Sequence, residues 1–457
     1  MIRVALGRRV GRSALRWGLP APTAATALPR RMCSGASVQP IEDYTPYFSS
    51  LARRREPSAI RALQPFLGIP GMISLGGGMP NPETFPFAGI TFTVDDGTEL
   101  NFDAADMQGA LQYSSTSGVP ALVAELQALQ RREHNPPSDR SICVNTGSQE
   151  ALTRAFAMLL EPTDTLLVEE PTYSGALAYL KPMGCRLVGV PTDGLGLIPA
   201  ALAEVLGDWD SGPHAGTPRP RVLYTIPTGA NPSGGTMSLA RRKEVYATAR
   251  EHGLIILEDD PYWYVYLGAP EDRPPSLLSM DVDGRVLRFD SFSKVLSSGM
   301  RLGFATGPPA LVSQLELHTQ AVNLHPCGLS QVAVAKLLQH WGPAGFDAHV
   351  TDVCELYRQQ RAAFLASAEA HLTGLAEWHA PEAGMFVWLK LLGVEDSFAL
   401  IKEDAVAEKV LLVPGAAFTV GGSSGYVRAA FSTASPEDME EACARLARLL
   451  RRRAGEL

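Results

Sequence analysis

The sequence has few of the residue patterns that mark disulfide-linked, metal-binding or membrane-spanning proteins. Its six cysteines contain no CxxC pair and its nine histidines form no HExxH motif, so we expect neither a disulfide framework nor a metal site. No apolar run reaches the roughly 18 residues that a membrane-spanning helix requires, so we expect no membrane segment. The chain has 457 residues, of which 46% are hydrophobic, and this suits a large core divided between two domains.

Acidic residues are absent from the first 41 positions, which contain seven arginines and no lysine. On a helix, Leu6 and Val10 would lie on one side and Arg8 and Arg12 on the other. Arginines also interrupt every apolar run that a secretory signal would need. We therefore predict that residues 1–41 are a transit peptide for the mitochondrial matrix, with a disordered basic tail as the alternative.

The rest of the chain is acidic. Without the seven leader arginines it has 33 basic and 48 acidic residues, a net charge of −15. Nucleic-acid binding would require clustered lysine and arginine on the folded part, so we expect no nucleic-acid partner.

Three segments follow the leader. Residues 42–112 are rich in proline, glycine and phenylalanine, which predicts a mostly extended arm. In residues 113–345, short apolar runs alternate with amphipathic stretches, which predicts a large α/β domain with a mainly parallel central sheet. Residues 346–457 begin and end with helical patterns around two strand-like runs, which predicts a smaller α+β domain. The strand candidates of the large domain are TLLVEE, CRLVGV, RVLYTI, LIILED and RVLRFD.

Polar residues follow three of these strands at the point where each strand ends. In an open parallel sheet, ligands bind beyond the carboxyl ends of the strands, so these residues are candidates for one shared site. Asn231 follows RVLYTI, and Asp259, Asp260 and Tyr262 stand at the end of LIILED. Ser291, Ser293 and Lys294 follow RVLRFD.

Lys294 is the candidate nucleophile. A lone lysine is usually a surface residue, but one placed just beyond a buried strand is partly desolvated, which lowers its pKa and frees its amine for Schiff-base chemistry. Ser291, Ser293 and Arg301 supply hydroxyls and a guanidinium that suit a phosphate. A ligand with both an aldehyde and a phosphate is pyridoxal phosphate.

Two other places in the sequence suit the same ligand. Ser148 and Gln149 follow a glycine at a helix start, where free amides favour an anion, although a serine there is often only a helix cap. Asp259 at the end of a buried strand needs a positive partner, which a protonated pyridine nitrogen would provide. The alternative for Asp259 is a cap or a salt bridge.

Three short motifs, NPSG, DDPYW and SFSKVLSSGMRLGF, occur in an order that resembles the class I/II pyridoxal-phosphate aminotransferases of fold type I. Longer stretches such as SLGGGMPNPETFPF are similar to the family members that act on 2-aminoadipate and kynurenine, and the resemblance extends from about residue 44 to the last helix. It implies ping-pong transamination of these amino acids through a Lys294 Schiff base, with 2-oxoglutarate as the amino acceptor.

The resemblance also implies a role for each residue of the cofactor site. Lys294 transfers the proton, Asp259 pairs with the pyridine nitrogen, and Tyr173 stacks on the ring. Asn231 and Tyr262 form hydrogen bonds to the ring oxygen. The phosphate is held by Ser148, Gln149, Ser291, Ser293 and Arg301, together with Tyr113 of the neighbouring subunit.

Substrate binding and assembly are implied in the same way. Arg428 holds the α-carboxylate of the substrate, which Asn231 also contacts, and Gly78 and Arg61 line the substrate side chain. The role of Tyr113 implies a homodimer with active sites at its interface.

Three residues depart from the pattern of the resemblance. Met79 stands where a leucine is expected, Ala230 where an asparagine is expected, and Trp263 replaces a smaller aromatic residue. These differences leave open a broad aromatic or branched-chain aminotransferase with β-lyase side activity. A DNA-binding regulator with an aminotransferase-like sensor is a third hypothesis, but it would need tens of additional residues before the sensor. Ser297 and Ser298 have no predicted role.

Overall fold

The amino-terminal arm contains more regular structure than its sequence predicts. Asp103 caps a helix by accepting hydrogen bonds from the Ala105 and Asp106 amides, and this helix was expected to be extended chain. The arm contains helix α1 (Ser50–Arg53), the antiparallel strands β1 (Thr91–Thr93) and β2 (Glu99–Asn101), and helix α2 (Ala104–Leu111), and is followed by α3 (Pro120–Glu133). The computed structural model describes residues 39–60, 62–63, 66, 69–137 and 139–455.

An eight-stranded sheet forms the centre of the fold. Most of its strands are buried along their whole length, because helices cover both faces. The strands are β3 (Ser141–Asn145), β4 (Thr165–Glu170), β5 (Arg186–Asp193), β6 (Gly196–Leu197), β7 (Val222–Thr225), β8 (Ile255–Asp259), β9 (Val286–Ser291) and β10 (Gly303–Gly307).

The spatial order of the strands is β3-β10-β9-β8-β7-β4-β5-β6. Strands β9, β8, β7, β4 and β5 run parallel, while β10 is antiparallel to both of its neighbours. The prediction of a mainly parallel sheet is therefore confirmed, and its five candidate runs are these five parallel strands. The sequence did not indicate β10, because the run Gly-Phe-Ala-Thr-Gly contains few residues with a high β propensity.

Helices connect the strands and continue into the carboxyl-terminal part. The longest one is broken at Gly342, whose φ of 57° and ψ of −174° are not helical, close to the predicted domain boundary at residue 345. That boundary remains a prediction. No helix in the described ranges is long and apolar enough to cross a membrane. The helices are α4 (Ser148–Leu159), α5 (Ser174–Met183), α6 (Pro199–Gly207), α7 (Leu239–Glu251), α8 (Pro309–Val322) and α9 (Gly328–Leu372).

A second, antiparallel sheet with the order β11-β12-β14-β13 follows α9. Trp388 lies directly opposite Arg428 in its register, so these side chains and that of Phe386 share one face of the sheet. The last helix begins as predicted, since the Ser435 side chain accepts a hydrogen bond from the Asp438 amide. The remaining elements are β11 (Ala376–Glu377), β12 (Phe386–Leu391), α10 (Ser397–Ala399), β13 (Val413–Pro414), β14 (Tyr426–Ala430) and α11 (Pro436–Ala454).

A buried charge cluster joins the ends of β8 and β9. The Arg288 guanidinium lies 2.8 Å from Asp260, 2.8 Å from Asp290 and 3.2 Å from Glu258, and all four residues are buried. Burial raises the pKa of the Glu258 and Asp290 carboxyls, and Arg288 opposes this effect. Arg288 is thus the shared cation of three buried carboxylates.

Replacing the central cation of this cluster should destabilise the fold strongly. In Arg288→Met, three buried carboxylates lose their partner, so we expect a loss of about 3–5 kcal/mol and a thermal midpoint lower by about 5–10 °C. The matched control is Arg445→Met, which removes a partly exposed arginine paired with Glu441 at 2.9 Å. Equal midpoints for the two variants in a thermal melt would contradict the role of Arg288.

Candidate active site

A cavity of about 340 Å³ opens at the carboxyl ends of β7, β8 and β9. The polar residues predicted at these three strand ends meet there, except for Asp260, as do residues from α4, β12, β14 and the turn before α5. The predicted site residues that line it are Ser148, Gln149, Tyr173, Asn231, Asp259, Tyr262, Ser291, Ser293, Lys294, Arg301 and Arg428.

One end of the cavity gathers a guanidinium and several hydroxyls beside the start of α4. Arg301 has left-handed backbone geometry, with φ at 49°, and donates hydrogen bonds to Ser293 Oγ at 3.4 Å and to the Ser298 carbonyl at 3.1 Å. A Cβ on Gly147 would stand 2.6 Å from Arg301 Nη2, so only glycine leaves room for this guanidinium. The Ser293 amide donates to Ser291 Oγ at 3.2 Å. Ser298, which had no predicted role, also lines the cavity.

The Lys294 amine is partly buried in this cavity. Burial lowers its pKa, and the positive charges of Arg301 and Arg428 lower it further. A larger fraction of the amine is therefore neutral than for a surface lysine, as the sequence predicted.

The Asp259 carboxylate has only one of its two oxygens hydrogen-bonded. Oδ2 accepts from the Tyr224 hydroxyl at 2.9 Å, whereas Oδ1 is buried and has no partner within the described part of the chain. Burial raises the pKa of this carboxyl to about 7. A positively charged N–H donor at Oδ1 would satisfy the oxygen and stabilise the anion. No pattern in the sequence points to Tyr224, which lies inside β7.

Arg428 is held between two aromatic rings, with its guanidinium carbon 4.2 Å from the centre of Phe386 and 5.0 Å from that of Phe418. Its Nη1 donates to Asn231 Oδ1 at 2.9 Å. Its Nε is buried and lacks an acceptor among the described residues. The guanidinium is thus oriented and still has a donor for an anion. Sequence reasoning missed both phenylalanines, although the alternation along β12 places Phe386 on the face of Arg428.

Two tyrosines supply further polar groups to the cavity. Burial raises the pKa of the Tyr173 and Tyr262 hydroxyls, so both remain protonated donors at neutral pH. The Tyr262 ring packs edge-on against Phe386 at 5.9 Å. The side-chain amide of Gln149, which also lines the cavity, already donates a hydrogen bond to the Gly175 carbonyl at 3.1 Å.

Two predicted site residues in the described ranges lie outside this cavity within one chain. Tyr113 and Gly78 line a separate cavity of about 220 Å³, together with Met79. Arg61 lies outside the described residues. No group of three or more histidine, cysteine, aspartate or glutamate side chains in the described ranges is arranged to hold a metal ion.

Pyridoxal 5′-phosphate fits this set of groups. The hydroxyls and Arg301 beside α4 suit its phosphate, the Lys294 amine suits its aldehyde, and the unpartnered Asp259 oxygen suits its protonated ring nitrogen.

Comparison with known proteins identifies the family. The family model described as aminotransferase class I and II matches residues 84–446. The mitochondrial kynurenine/alpha-aminoadipate aminotransferase of Rattus norvegicus is 44% identical over 423 residues, which cover 90% of this chain and 99% of the relative. An aromatic amino acid aminotransferase of Dictyostelium discoideum is 32% identical and covers 88% and 87%.

Solved structures agree with this result. Aminotransferase Aro8 from Candida albicans superposes with a TM-score of 0.82 at 26% identity and covers 92% of this chain and 100% of its own. LysN, an alpha-aminoadipate aminotransferase from Thermus thermophilus complexed with N-(5′-phosphopyridoxyl)-L-leucine, has a TM-score of 0.68 at 30% identity and covers 91% and 100%. The predicted fold type I and the predicted cofactor are therefore confirmed. This chain belongs to the class I and II aminotransferases, and pyridoxal 5′-phosphate is its cofactor.

Proposed function

We propose that this aminotransferase transfers the amino group of 2-aminoadipate or kynurenine to 2-oxoglutarate, as a homodimer in the mitochondrial matrix. The observation that carries the proposal is the meeting of the Lys294 amine and the Arg428 guanidinium in one cavity. The 44% identity to a relative named for these two substrates supports the substrate class.

In this proposal Lys294 is the base. When bound, pyridoxal 5′-phosphate supplies an aldehyde that takes up the amino group and a ring that withdraws electrons. Lys294 Nζ removes the proton from the substrate Cα, and its lowered pKa keeps part of the amine neutral for this task. Arg301, Ser291 and Ser293 hold the phosphate, as their grouping beside α4 suggests.

Arg428 orients the substrate. Its Nη1 is already engaged with Asn231, so a carboxylate approaching side-on would take Nε and Nη2 in two parallel hydrogen bonds. The rings of Phe386 and Phe418 restrict the guanidinium to this orientation. An α-amino acid held in this way presents its Cα to a fixed position in the cavity.

Asp259 and the tyrosines hold the cofactor ring. The Asp259 carboxylate, oriented by Tyr224, pairs with the ring nitrogen and keeps it protonated. The Tyr262 hydroxyl and the Asn231 amide donate to the ring oxygen, and Tyr173 covers the ring face. All four residues line the cavity, which supports these assignments.

A second candidate is a broad-specificity aminotransferase for aromatic amino acids. Its support is the 32% identical aromatic aminotransferase of D. discoideum and the aromatic side chains of the cavity. Tyr173, Tyr262 and Phe386 suit a ring-bearing substrate as well as kynurenine, which is itself aromatic.

The homodimer and the location rest on other features. Apolar side chains between residues 60 and 79 are exposed in the single chain, and Leu75 is 99% exposed. Tyr113 and Gly78 line the cavity beside this segment, as expected of residues that complete a partner's site.

The mitochondrial location is supported by the name of the rat relative and by the predicted leader, which lies outside the described residues. The location can be tested by fusing residues 1–41 to a reporter and measuring its import into isolated mitochondria.

The main test follows the visible absorbance of the purified holoenzyme. We expect 2-aminoadipate or kynurenine to remove the cofactor band and 2-oxoglutarate to restore it, with kcat/KM for these donors at least about tenfold above leucine and phenylalanine. Lys294→Ala should lose about 10³-fold in turnover, because the proton at Cα loses its base. Lys243→Ala, at an exposed position on α7, should remain within about twofold. If phenylalanine or leucine had the highest kcat/KM of the donors tested, the result would favour the second candidate.

The second prediction concerns Asp259 and pH. Its folded pKa of about 7 exceeds the ordinary value of 3.8, so the folded apoprotein holds a proton that the unfolded chain has released. The stability that this bound proton contributes is complete below about pH 4 and is lost as the pH rises to 7. We expect Asp259→Asn to raise the thermal midpoint of the apoprotein by about 2 °C or more at pH 8 and by less at pH 5.

The same variant should bind pyridoxal 5′-phosphate at least about tenfold more weakly, because the ring nitrogen loses its anionic partner. Asp352→Asn, at an exposed position on α9, is the control for both measurements. A lower apoprotein midpoint at pH 8, or unchanged cofactor affinity, would count against the role of Asp259.

The third prediction concerns assembly. Sedimentation should give twice the 49.0 kDa of one chain. Leu75→Glu should weaken the dimer at least about tenfold by placing a charge in its apolar interface, while Leu411→Glu, at another residue that is 80% exposed, should not. A monomeric unmodified protein at micromolar concentration would contradict the dimer.

A further inference from the structure

A second and larger cavity, of about 510 Å³, lies between the loop after β4 and the face of β12 and β14. It shares no lining residue with the Lys294 cavity. Its lining includes three carboxylates and three large aromatic rings: Glu170, Asp193, Glu377, Trp378, Trp388 and Tyr426.

Only one of the three carboxylates has no cation of its own. Asp193 is paired with Arg241 at 2.7 Å, and Glu377 with Lys390 at 3.2 Å. Glu170, in contrast, forms no ion pair with a lysine or arginine of the described chain. One uncompensated negative charge therefore faces the cavity.

Glu170 is held by a backbone amide rather than by an ion pair. Its carboxylate accepts from a backbone amide, that of Val420, at 3.1 and 3.2 Å. The Lys181 ammonium donates instead to the Thr419 carbonyl at 3.2 Å. Burial raises the pKa of the Glu170 carboxyl, and the Val420 amide and the charge of Lys181 oppose this effect.

Aromatic rings form the other part of the lining. Trp388 and Tyr426 stack with their centres 5.2 Å apart and their planes at 9°, and Trp378 lies along the same cavity. Neither the Trp378 nor the Trp388 indole N–H forms a hydrogen bond within the described ranges, so both are available as donors. Ring faces combined with a carboxylate are the groups that bind quaternary and methylated ammonium ions.

We propose that this cavity is a second ligand site, which binds a small organic cation with a quaternary or methylated ammonium group. Glu170 neutralises the charge, the rings of Trp378, Trp388 and Tyr426 cover the methyl groups, and an indole N–H donates to an oxygen of the ligand. The volume is within the usual range for small-molecule sites.

The site adjoins the groups that bind the amino-acid substrate. The Trp388 ring packs edge-on against Phe418 at 5.5 Å, and Phe418 in turn contacts the Arg428 guanidinium. Glu170, the last residue of β4, precedes Tyr173 by three residues. A ligand in this cavity would therefore contact residues next to two parts of the Lys294 cavity without blocking it.

The test is calorimetric titration of the holoenzyme with choline and with 3,3-dimethylbutan-1-ol, which has the same shape but carries carbon in place of the charged nitrogen. We expect choline to bind at least about tenfold more tightly. A quaternary ammonium cannot react with an aldehyde, so the visible absorbance of the cofactor should not change. Equal affinities, or no heat of binding up to about 50 mM choline, would overturn the proposal.

Variants locate the site. Glu170→Gln retains an acceptor for the Val420 amide but loses the charge, and it should remove the preference for choline. Trp378→Leu should weaken choline binding about fivefold or more, which keeps the test decisive if Glu170→Gln does not fold. Glu204→Gln removes an equal charge from the exposed surface of α6 and should have no effect. Unchanged binding in both cavity variants, or loss of choline binding on saturation with 2-oxoglutarate, would place the ligand elsewhere and overturn the proposal.

Discussion

The burial of consecutive carboxylates at the end of β8 sets the conditions for the catalytic site. Glu258 and Asp260 lie on one face of the strand and Asp259 on the other, because successive residues of a strand alternate. Arg288 compensates the first pair, whereas Asp259 receives only the Tyr224 hydroxyl. Arg288 thus gives the carboxylates on one side a cation, whereas Asp259 on the other side has no cation partner among the described residues. A cofactor with a basic ring nitrogen would supply one there, as proposed.

The parts of this arrangement that depend on local sequence were predictable. Five parallel strands follow from apolar runs, and Asp259 and Lys294 stand out as polar residues where such runs end. The capping of α11 by Ser435 follows from its position before Pro436. Each of these signals lies within a few residues, so the period of a strand or the chemistry of a cap is enough to interpret it.

The parts that depend on distant contacts were not predictable in the same way. Tyr224 is an ordinary apolar member of β7 until the sheet brings it to Asp259, 35 positions later. Phe418 becomes part of the site only because the second sheet brings it against Arg428. Arg288 stands inside the strand candidate RVLRFD, and the sequence alone does not identify its three partners. Tyr113 and Gly78 lie in another cavity of the same chain, so the roles predicted for them would require a second subunit.

Strand β10 lies between the two halves of the phosphate-binding end. Gly303 is opposite Asn145 on β3 and Ser291 on β9, and a side chain there would meet the Ser148 amide at 2.8 Å. A slip of one residue would displace Arg301 by about 3.3 Å and reverse the faces of the strand. The anion site therefore forms only after segments more than 140 positions apart have found their register. A phosphate bound there would therefore stabilise the correctly aligned sheet over its shifted alternatives.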